Sequence, residues 1–96
     1  MKIEVGCGTN PTKPGFLTND IRDVPGVDLV CTAWELDQHV EPDTVEHIFS
    51  RRFFEHLTLE QGEYVISMWF KLLKSCGICE MIVPNITFHI MQGYKP

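Results

Sequence analysis

Three stretches near the start of the chain carry residue types that suit contact with a nucleoside. Gly6-Cys7-Gly8 directly follows a short apolar alternation, and glycine lets the main chain turn sharply and approach a ligand closely. Asp20 ends the next strand-like run, Phe16–Asp20, where a carboxylate can accept hydrogen bonds from both hydroxyls of a ribose. Trp34 ends the third run, where its flat ring can lie against a base. Together these residues predict a nucleoside pocket.

The residues that follow the glycines argue against a dinucleotide. Asn10 and Pro11 occupy the place where a G-x-G-x-x-G motif would continue. A pyrophosphate is usually held at a helix N-terminus, and Pro11 together with Pro14 disfavours a helix there. We therefore expect a nucleoside ligand other than NAD.

A second chemical pattern is the C-x-x-C formed by Cys76 and Cys79, which is typical of zinc or thiol redox sites. A zinc site would need a second cysteine pair or two suitably spaced histidines. The histidines have no such spacing: they are His39, His47, His56 and His89. We expect no metal.

Composition limits the class of protein. The chain has 96 residues with 8 basic and 13 acidic side chains, a net charge of −5. Nucleic-acid binding needs a basic face, so no nucleic-acid partner is expected. The apolar runs are far shorter than the roughly 20 residues of a membrane span, and the start does not resemble a signal segment. The expectation is one domain, residues 1–96, in a soluble cytoplasmic protein without membrane contact.

Hydrophobic periodicity predicts five strands and one long helix. From Leu59 onward apolar residues recur at helical spacing. Thr58 and Gln61 match a capping box at its start, and Gly77 is placed to end it. The tail, Asn85–Pro96, is predicted as a loop or a weak helix. The predicted strands are Lys2–Val5, Phe16–Asp20, Val27–Trp34, Val45–Ser50 and Ile78–Pro84.

Strands that are apolar almost throughout, with a helix before the last, favour an α/β fold. We expect a mainly parallel five-stranded sheet with few helices, because such strands are buried on both faces. In an open parallel sheet ligands bind beyond the carboxyl ends of the strands. The glycines, Asp20 and Trp34 would all lie at that edge.

At this point the sequence resembles a known family. The segments EVGCGTNPTKPGFLTNDIR, VDLVCTAWEL, VEHIFSRRFFEHLT and LLKSCGICEMIVPN are similar to class I S-adenosylmethionine-dependent methyltransferases, in particular the methyltransferase type 11-like group. The resemblance covers Lys2 to about Asn85. It implies a Rossmann-like sheet, S-adenosyl-L-methionine as cofactor, and transfer of its methyl group to an unidentified, small-molecule or other, acceptor.

The resemblance also implies a role for each strand end. The first family motif, E/D-x-G-x-G, begins at Glu4 and would lie under the methionine part of the cofactor. Asp20, followed by Ile21, would hold the ribose hydroxyls. The implied cofactor-binding positions are Glu4, Gly6, Cys7, Gly8, Asp20, Ile21, Thr32, Ala33, Trp34, Ser50 and Arg51.

Within that set, the segment Thr32-Ala33-Trp34 would pack on adenine. Family members often have an aspartate where Thr32 stands, so the bond to the adenine amine would be absent or made by the main chain. Ser50 would lie near the methyl donor. No residue is a compelling general base, and His56 is the nearest candidate.

The family normally continues into a C-terminal antiparallel hairpin, and the sequence shows no counterpart of it. We therefore expect a minimal or truncated core in which Ile78–Pro84 is an exposed sheet edge. Such an edge pairs readily with another chain, which predicts a homodimer around this strand, with or without the tail Ile86–Tyr94. The alternative is a monomer whose tail folds back over the edge.

Three functions stay open at this point. The leading one is an S-adenosylmethionine-dependent methyltransferase. The second is a non-catalytic module derived from a methyltransferase, which binds the nucleoside, S-adenosylmethionine or a partner chain. A weaker third is another nucleotide-binding domain with the same kind of sheet.

Overall fold

The computed structural model describes residues 1–7 and 12–95. That part of the chain forms an α/β structure with a mixed six-stranded sheet and few helices. The helical elements are α1 (Leu59–Leu72) and two short 3-10 helices, Ala33–Gln38 and Phe54–His56. The strands are β1 (Lys2–Val5), β2 (Leu17–Asp20), β3 (Leu29–Val30), β4 (Val45–Arg51), β5 (Leu73–Val83) and β6 (Ile86–Met91).

The strands lie in the order β3-β2-β1-β4-β5-β6. The four pairings among the first five strands are parallel, and β6 runs antiparallel to β5. From β1 the chain moves outward to β2 and β3, then returns to place β4 on the other side of β1. The direction of strand order therefore reverses at β1, which is where open α/β sheets form a crevice beyond the strand ends.

The two faces of the sheet are covered differently. On one face, Ile3, Ile48 and Cys79 share a row of the sheet register and pack in one apolar cluster with Val65 and Trp69 of α1. The next row, which points to the other face, holds Glu4, Phe49 and Glu80. We call these the helix face and the loop face, because residues 12–16 lie against the second one.

The tail of the chain corrects the predicted fold. Ile86–Met91 is neither a loop nor a helix but strand β6, and it pairs with β5 from Val83↔Ile86 to Ile78↔Met91. The turn between them contains Pro84 and Asn85, and Asn85 has a φ of 69°. Proline followed by a residue with positive φ is the arrangement of a type II turn. The expectations of five strands and of no terminal hairpin are both wrong.

This hairpin also removes the predicted exposed edge. Strand β5 lies between β4 and β6, so the main chain of Ile78–Pro84 has a neighbour on each side. The structure instead agrees with the alternative in which the tail folds back over the edge. A dimer built on β5 itself therefore has no free strand edge to use.

The third strand is much shorter than Val27–Trp34. Only Leu29–Val30 pairs with β2, and Ala33–Gln38 forms a 3-10 helix instead. At the start of that helix Thr32 N–H donates to Glu35 Oε1 at 3.3 Å. Local capping therefore ends the extended conformation before Trp34, which lies on a helix and not at a strand end.

The start of α1 is confirmed and its end is not. Thr58 Oγ1 accepts a hydrogen bond from Gln61 N at 3.1 Å, and Gln61 Oε1 accepts one from Thr58 N at 2.9 Å. The helix stops at Leu72, five residues before Gly77. The Leu72 carbonyl accepts a hydrogen bond from Thr44 N–H at 3.1 Å, so the segment before β4 caps the helix from outside.

Gly77 has another role, since it lies within β5 at an irregularity of the β4–β5 register. A Cβ there would lie 3.0 Å from the Val45 carbonyl oxygen and from that of Lys74. The glycine therefore permits two main-chain segments to approach each other.

Candidate functional site

A cleft of about 290 Å³ lies beyond the carboxyl ends of β1, β2 and β3. This volume is at the lower end of the range for small-molecule sites. Because parallel strands end at the same edge of a sheet, residues distant in sequence meet there. The lining residues are Gly6, Asn19, Asp20, Ile21, Cys31, Thr32, Ala33, Trp34, Phe53 and His56.

Asp20 provides the carboxylate of the cleft. It is buried, and its Oδ1 accepts hydrogen bonds from Arg22 N at 2.9 Å and from Arg22 Nε at 3.2 Å. Its own carbonyl accepts a bond from Cys31 N–H at 3.2 Å, which ties β2 to the segment after β3. The carboxylate is thus held in a defined orientation on the wall of the cleft.

Asn19 is a lining residue that the sequence did not single out. Its Nδ2 donates to the carbonyl of Leu29 at 2.9 Å and to that of Cys31 at 3.0 Å. The side chain is buried and fixes the short strand β3 against β2. The available signal was its place directly before Asp20 at the end of a predicted strand.

Trp34 and Ile21 give the cleft an apolar rim. Their exposed fractions are 39% and 67%, high for large apolar side chains. Thr32 and Ala33 line the cleft beside them. An exposed indole next to an aliphatic side chain is a suitable surface for the flat face of a base.

Gly6 has a conformational reason to be glycine. Its φ is 67°, a left-handed conformation that glycine adopts without strain. A Cβ at this position would lie 3.3 Å from Cδ1 of the Phe53 ring. The glycine by itself is therefore explained by the turn and by Phe53, without a ligand. Gly8 lies outside the described residues.

Four of the predicted positions do not belong to the described lining. Glu4 is buried on the loop face and binds the main chain of Thr12 and Lys13. Ser50 is buried, whereas Arg51 is exposed. The fourth position is Cys7, whose N–H donates to the Asn19 carbonyl at 3.1 Å.

The thiols near the cleft are poor nucleophiles. Burial raises the pKa of the Cys7 thiol, and the negative charges of Glu4 and Asp20 raise it further. Burial likewise raises the pKa of Cys31, with a smaller contribution from Glu35. Both thiols therefore stay protonated at neutral pH. Since the thiolate is the reactive form of cysteine, neither is set up as a nucleophile.

Phe53 and His56 enter the cleft from the segment after β4. Phe53 was missed from the sequence, although its aromatic type next to a predicted strand end was visible. Its ring is stacked with Trp69 at 6.3 Å and 23° between planes, which anchors this wall to the core. His56 is exposed and is the only histidine among the described lining residues.

The two cysteines of the C-x-x-C pair have different environments. Cys79 is fully buried and burial raises its pKa to about 12, while Cys76 is exposed and both thiols are free. Across residues 1–7 and 12–95, no three His, Cys, Asp or Glu side chains are grouped so as to hold a metal ion. The helices in these ranges are also too short or too polar to cross a bilayer.

No family model matches the sequence, and the comparison with curated proteins gives no match.

Proposed function

We propose that the chain binds S-adenosyl-L-methionine in the cleft at the ends of β1, β2 and β3 and transfers its methyl group to an acceptor. The proposal takes β3-β2-β1-β4-β5 as a Rossmann-like arrangement. The parallel pairing of these five strands and the reversal of strand order at β1 support it. The cofactor would sit where such sheets bind nucleotides.

The observation that carries the proposal is the position of Asp20 beside Trp34 in one cleft. A buried, oriented carboxylate at the end of β2 suits the two ribose hydroxyls, because it accepts hydrogen bonds and donates none. Trp34 lies on the 3-10 helix that follows β3, the strand next to β2, and its ring would pack against the base. The cleft thus contains a carboxylate for the ribose and an aromatic ring for the base.

Other described residues fit the remaining parts of the cofactor. Thr32 and Ala33 line the cleft beside Trp34 and would pack against adenine. The main-chain N–H and C=O of Thr32 are already bonded to Glu35, so they would not replace the aspartate that the resembled family often has there. The methionine part would extend past Gly6 toward the segment after β4. The Phe53 ring lies against Gly6, so it limits the room at that end.

The chemistry asks little of side chains. When bound, S-adenosylmethionine would supply a methyl group on a positively charged sulfur, a leaving group able to take the electrons of the S–C bond when an acceptor lone pair bonds to the methyl carbon. The chain's part is to hold the acceptor in line. His56, exposed on the β4 side of the cleft, would take a proton from an acceptor that must lose one.

Calorimetry with S-adenosylhomocysteine tests the cofactor. We expect saturable binding, and we expect Asp20→Asn to weaken it by about 1.5–3 kcal/mol, the loss typical of hydrogen bonds to a charged group. The matched control is Asp23→Asn, an exposed carboxylate three residues away that does not line the cleft. Equal affinity of the two variants would remove Asp20 from the site. Binding of NAD without binding of S-adenosylhomocysteine would make the domain a different nucleotide binder.

A non-catalytic module that binds the nucleoside is the second candidate. It is favoured by the shortage of acid–base groups in the described lining, where His56 alone is left once Asp20 is assigned to the ribose and Cys31 stays protonated. Transfer of a labelled methyl group to amine, hydroxyl and thiol acceptors separates the two. Turnover that His56→Ala lowers supports the enzyme, whereas binding without turnover on every acceptor supports the module.

A further inference from the structure

Strand β6 leaves a row of large apolar side chains at an open edge of the sheet. It is the last strand in the sheet order, and all six of its residues are exposed. On the helix face the exposed fractions of Ile86, Phe88 and Ile90 are 53%, 45% and 37%. An apolar edge strand of this kind is a template for pairing with another strand.

The main chain of β6 has hydrogen-bonding groups on its outer side. Gln92 N–H donates to the Gly77 carbonyl at 2.7 Å, so the even-numbered residues direct their N–H and C=O groups toward β5. In an antiparallel pair these directions alternate along the strand. Thr87 and His89 therefore present their N–H and C=O groups to the outer edge.

Residues 92–95 do not turn back over this edge. Gln92 Nε2 donates to the carbonyl of Phe70, and Lys95 N–H donates to Ser75 Oγ at 2.7 Å. Both contacts draw residues 92–95 toward the end of α1 and the start of β5. In the described chain the outer side of β6 therefore stays uncovered by the tail.

The sequence of β6 is close to a palindrome. Around Phe88 it reads Ile-Thr-Phe-His-Ile, so the pattern is nearly the same in both directions. The strand also contains no Lys, Arg, Asp, Glu or Pro, the residues that usually protect an edge from self-association. A strand that reads alike in both directions is complementary to an antiparallel copy of itself.

We propose that β6 pairs antiparallel with β6 of a second copy of this chain, about a two-fold axis at Phe88. In that register Phe88 faces the partner's Phe88, and Ile86 faces the partner's Ile90, all on the helix face. Thr87 faces the partner's His89, and their outward groups form about four main-chain hydrogen bonds. The two sheets become one continuous sheet with a closed isologous interface.

An apolar cavity beside the strand supports a second copy as the occupant. It measures about 310 Å³, has no polar lining surface, and is bordered by Phe54, Ile66, Met81, Val83, Phe88 and Ile90. In the proposed pair both cavities would lie on the same face of the joined sheet, beside the paired Phe88 side chains, so pairing would shield part of both apolar surfaces from water. Each chain carries a net charge of −5, so the two copies repel and added salt should strengthen the dimer by screening that repulsion.

Light scattering and sedimentation with charge variants test this register. We expect the wild type to have the mass of two chains at about 100 µM. Phe88→Lys and Phe88→Glu should each be monomeric, because like charges then face each other across the axis. Mixed in equal amounts, the two variants should restore a dimer containing one of each. The matched pair Tyr64→Lys and Tyr64→Glu, at a 56% exposed aromatic of α1, should dimerise like the wild type.

A second variant keeps the test valid if charges at Phe88 prevent folding. Thr87→Pro removes one outward N–H, and we expect it to weaken the dimer at least about tenfold with an unchanged circular dichroism spectrum. A wild type with the mass of one chain, or dimers that all these variants retain, would overturn the proposal. So would a monomer that binds an apolar dye at the cavity, since a small ligand would then be the occupant.

Discussion

The helix face and the loop face of the sheet bury their residues by different physical means. On the helix face an α-helix covers apolar side chains. On the loop face two carboxylates are buried, and in the described chain the segment 12–16 lies over them. The helix face therefore needs apolar residues on the strands, whereas the loop face needs buried acids with hydrogen-bonding partners.

On the helix face the stabilisation comes from apolar area and shape. Trp69 of α1 has none of its surface exposed. Phe54 contacts it edge-on at 5.2 Å between ring centroids, and Phe53 stacks on it. Burial of apolar surface is non-directional and scales with the area removed from water. The position of α1 therefore depends mainly on its apolar stripe.

On the loop face the stabilisation comes from directed contacts. The carboxylate of Glu4 accepts hydrogen bonds from Thr12 N at 3.0 and 3.1 Å and from Lys13 N at 3.0 Å. Glu80 Oε1 lies 3.0 Å from His47 Nε2 and 3.4 Å from Lys13 Nζ. A buried carboxylate is tolerated only with such partners. On this face the segment 12–16 takes the place of a covering helix, because Glu4 and Glu80 on the strands bind it.

The first prediction concerns the apolar packing of the helix face, where we expect the greatest loss of stability. Trp69→Ala should lower the free energy of unfolding by about 3–5 kcal/mol, since it leaves a cavity among Phe53, Phe54 and the sheet. Denaturant unfolding measures this change. Tyr64→Ala on the exposed side of the same helix should change it by less than about 0.5 kcal/mol. Comparable losses in both variants would mean that α1 is not held by its apolar face.

A smaller effect is expected on the loop face. Glu4→Gln keeps the volume of the side chain and removes the charge that Thr12 and Lys13 bind, so we expect a loss of about 1.5–3 kcal/mol. Glu63→Gln, at an exposed position of α1, is the matched control and should be near neutral. If Glu4→Gln is as stable as this control, the loop is held by something other than that carboxylate.

One substitution on the helix face is expected to be stabilising. Ser50 lies on the helix face, fully buried, and its Oγ has no hydrogen-bond partner in the described part of the chain. Removing a buried unpaired hydroxyl is neutral or favourable, so Ser50→Ala should raise stability by up to about 1 kcal/mol.

Ser75 is the control for that variant, because its Oγ accepts a bond from Lys95 N at 2.7 Å. Ser75→Ala should therefore lower stability by about 0.5–1.5 kcal/mol. Thermal unfolding of both proteins measures the difference. A clear loss in Ser50→Ala would show that its hydroxyl is in fact bonded in solution.

The candidate site was predictable to the extent that it depends on strand ends. Asp20 was selected because it ends a predicted strand, and it lies at the end of β2. Trp34 was selected for the same reason, but it lines the cleft from the 3-10 helix after β3. That they bind a cofactor stays a prediction. Asn19 and Phe53 were missed because their roles lie in contacts with Leu29 and Trp69, which are distant in the chain.

Elements with local sequence signals were predicted correctly. The alternation of Lys2–Val5 and the run Val45–Ser50 appear as β1 and β4 with nearly the predicted bounds. The capping box at Thr58 sets the start of α1. Each signal lies within a few residues, so the element can be predicted without knowing which distant segment it packs against or pairs with.

The end of α1, the role of Gly77 and the existence of β6 depend on contacts between residues far apart in sequence. The helix ends at Leu72 because the Thr44 main chain takes its carbonyl, and Gly77 is a strand residue because Val45 packs against it. The alternation at Ile86, Phe88 and Ile90 was present in the sequence, but an edge strand is defined only by the neighbour it pairs with. Hydrogen bonds and contacts that join residues far apart in sequence leave no local periodicity, and these contacts determined where α1 ends and where β6 lies.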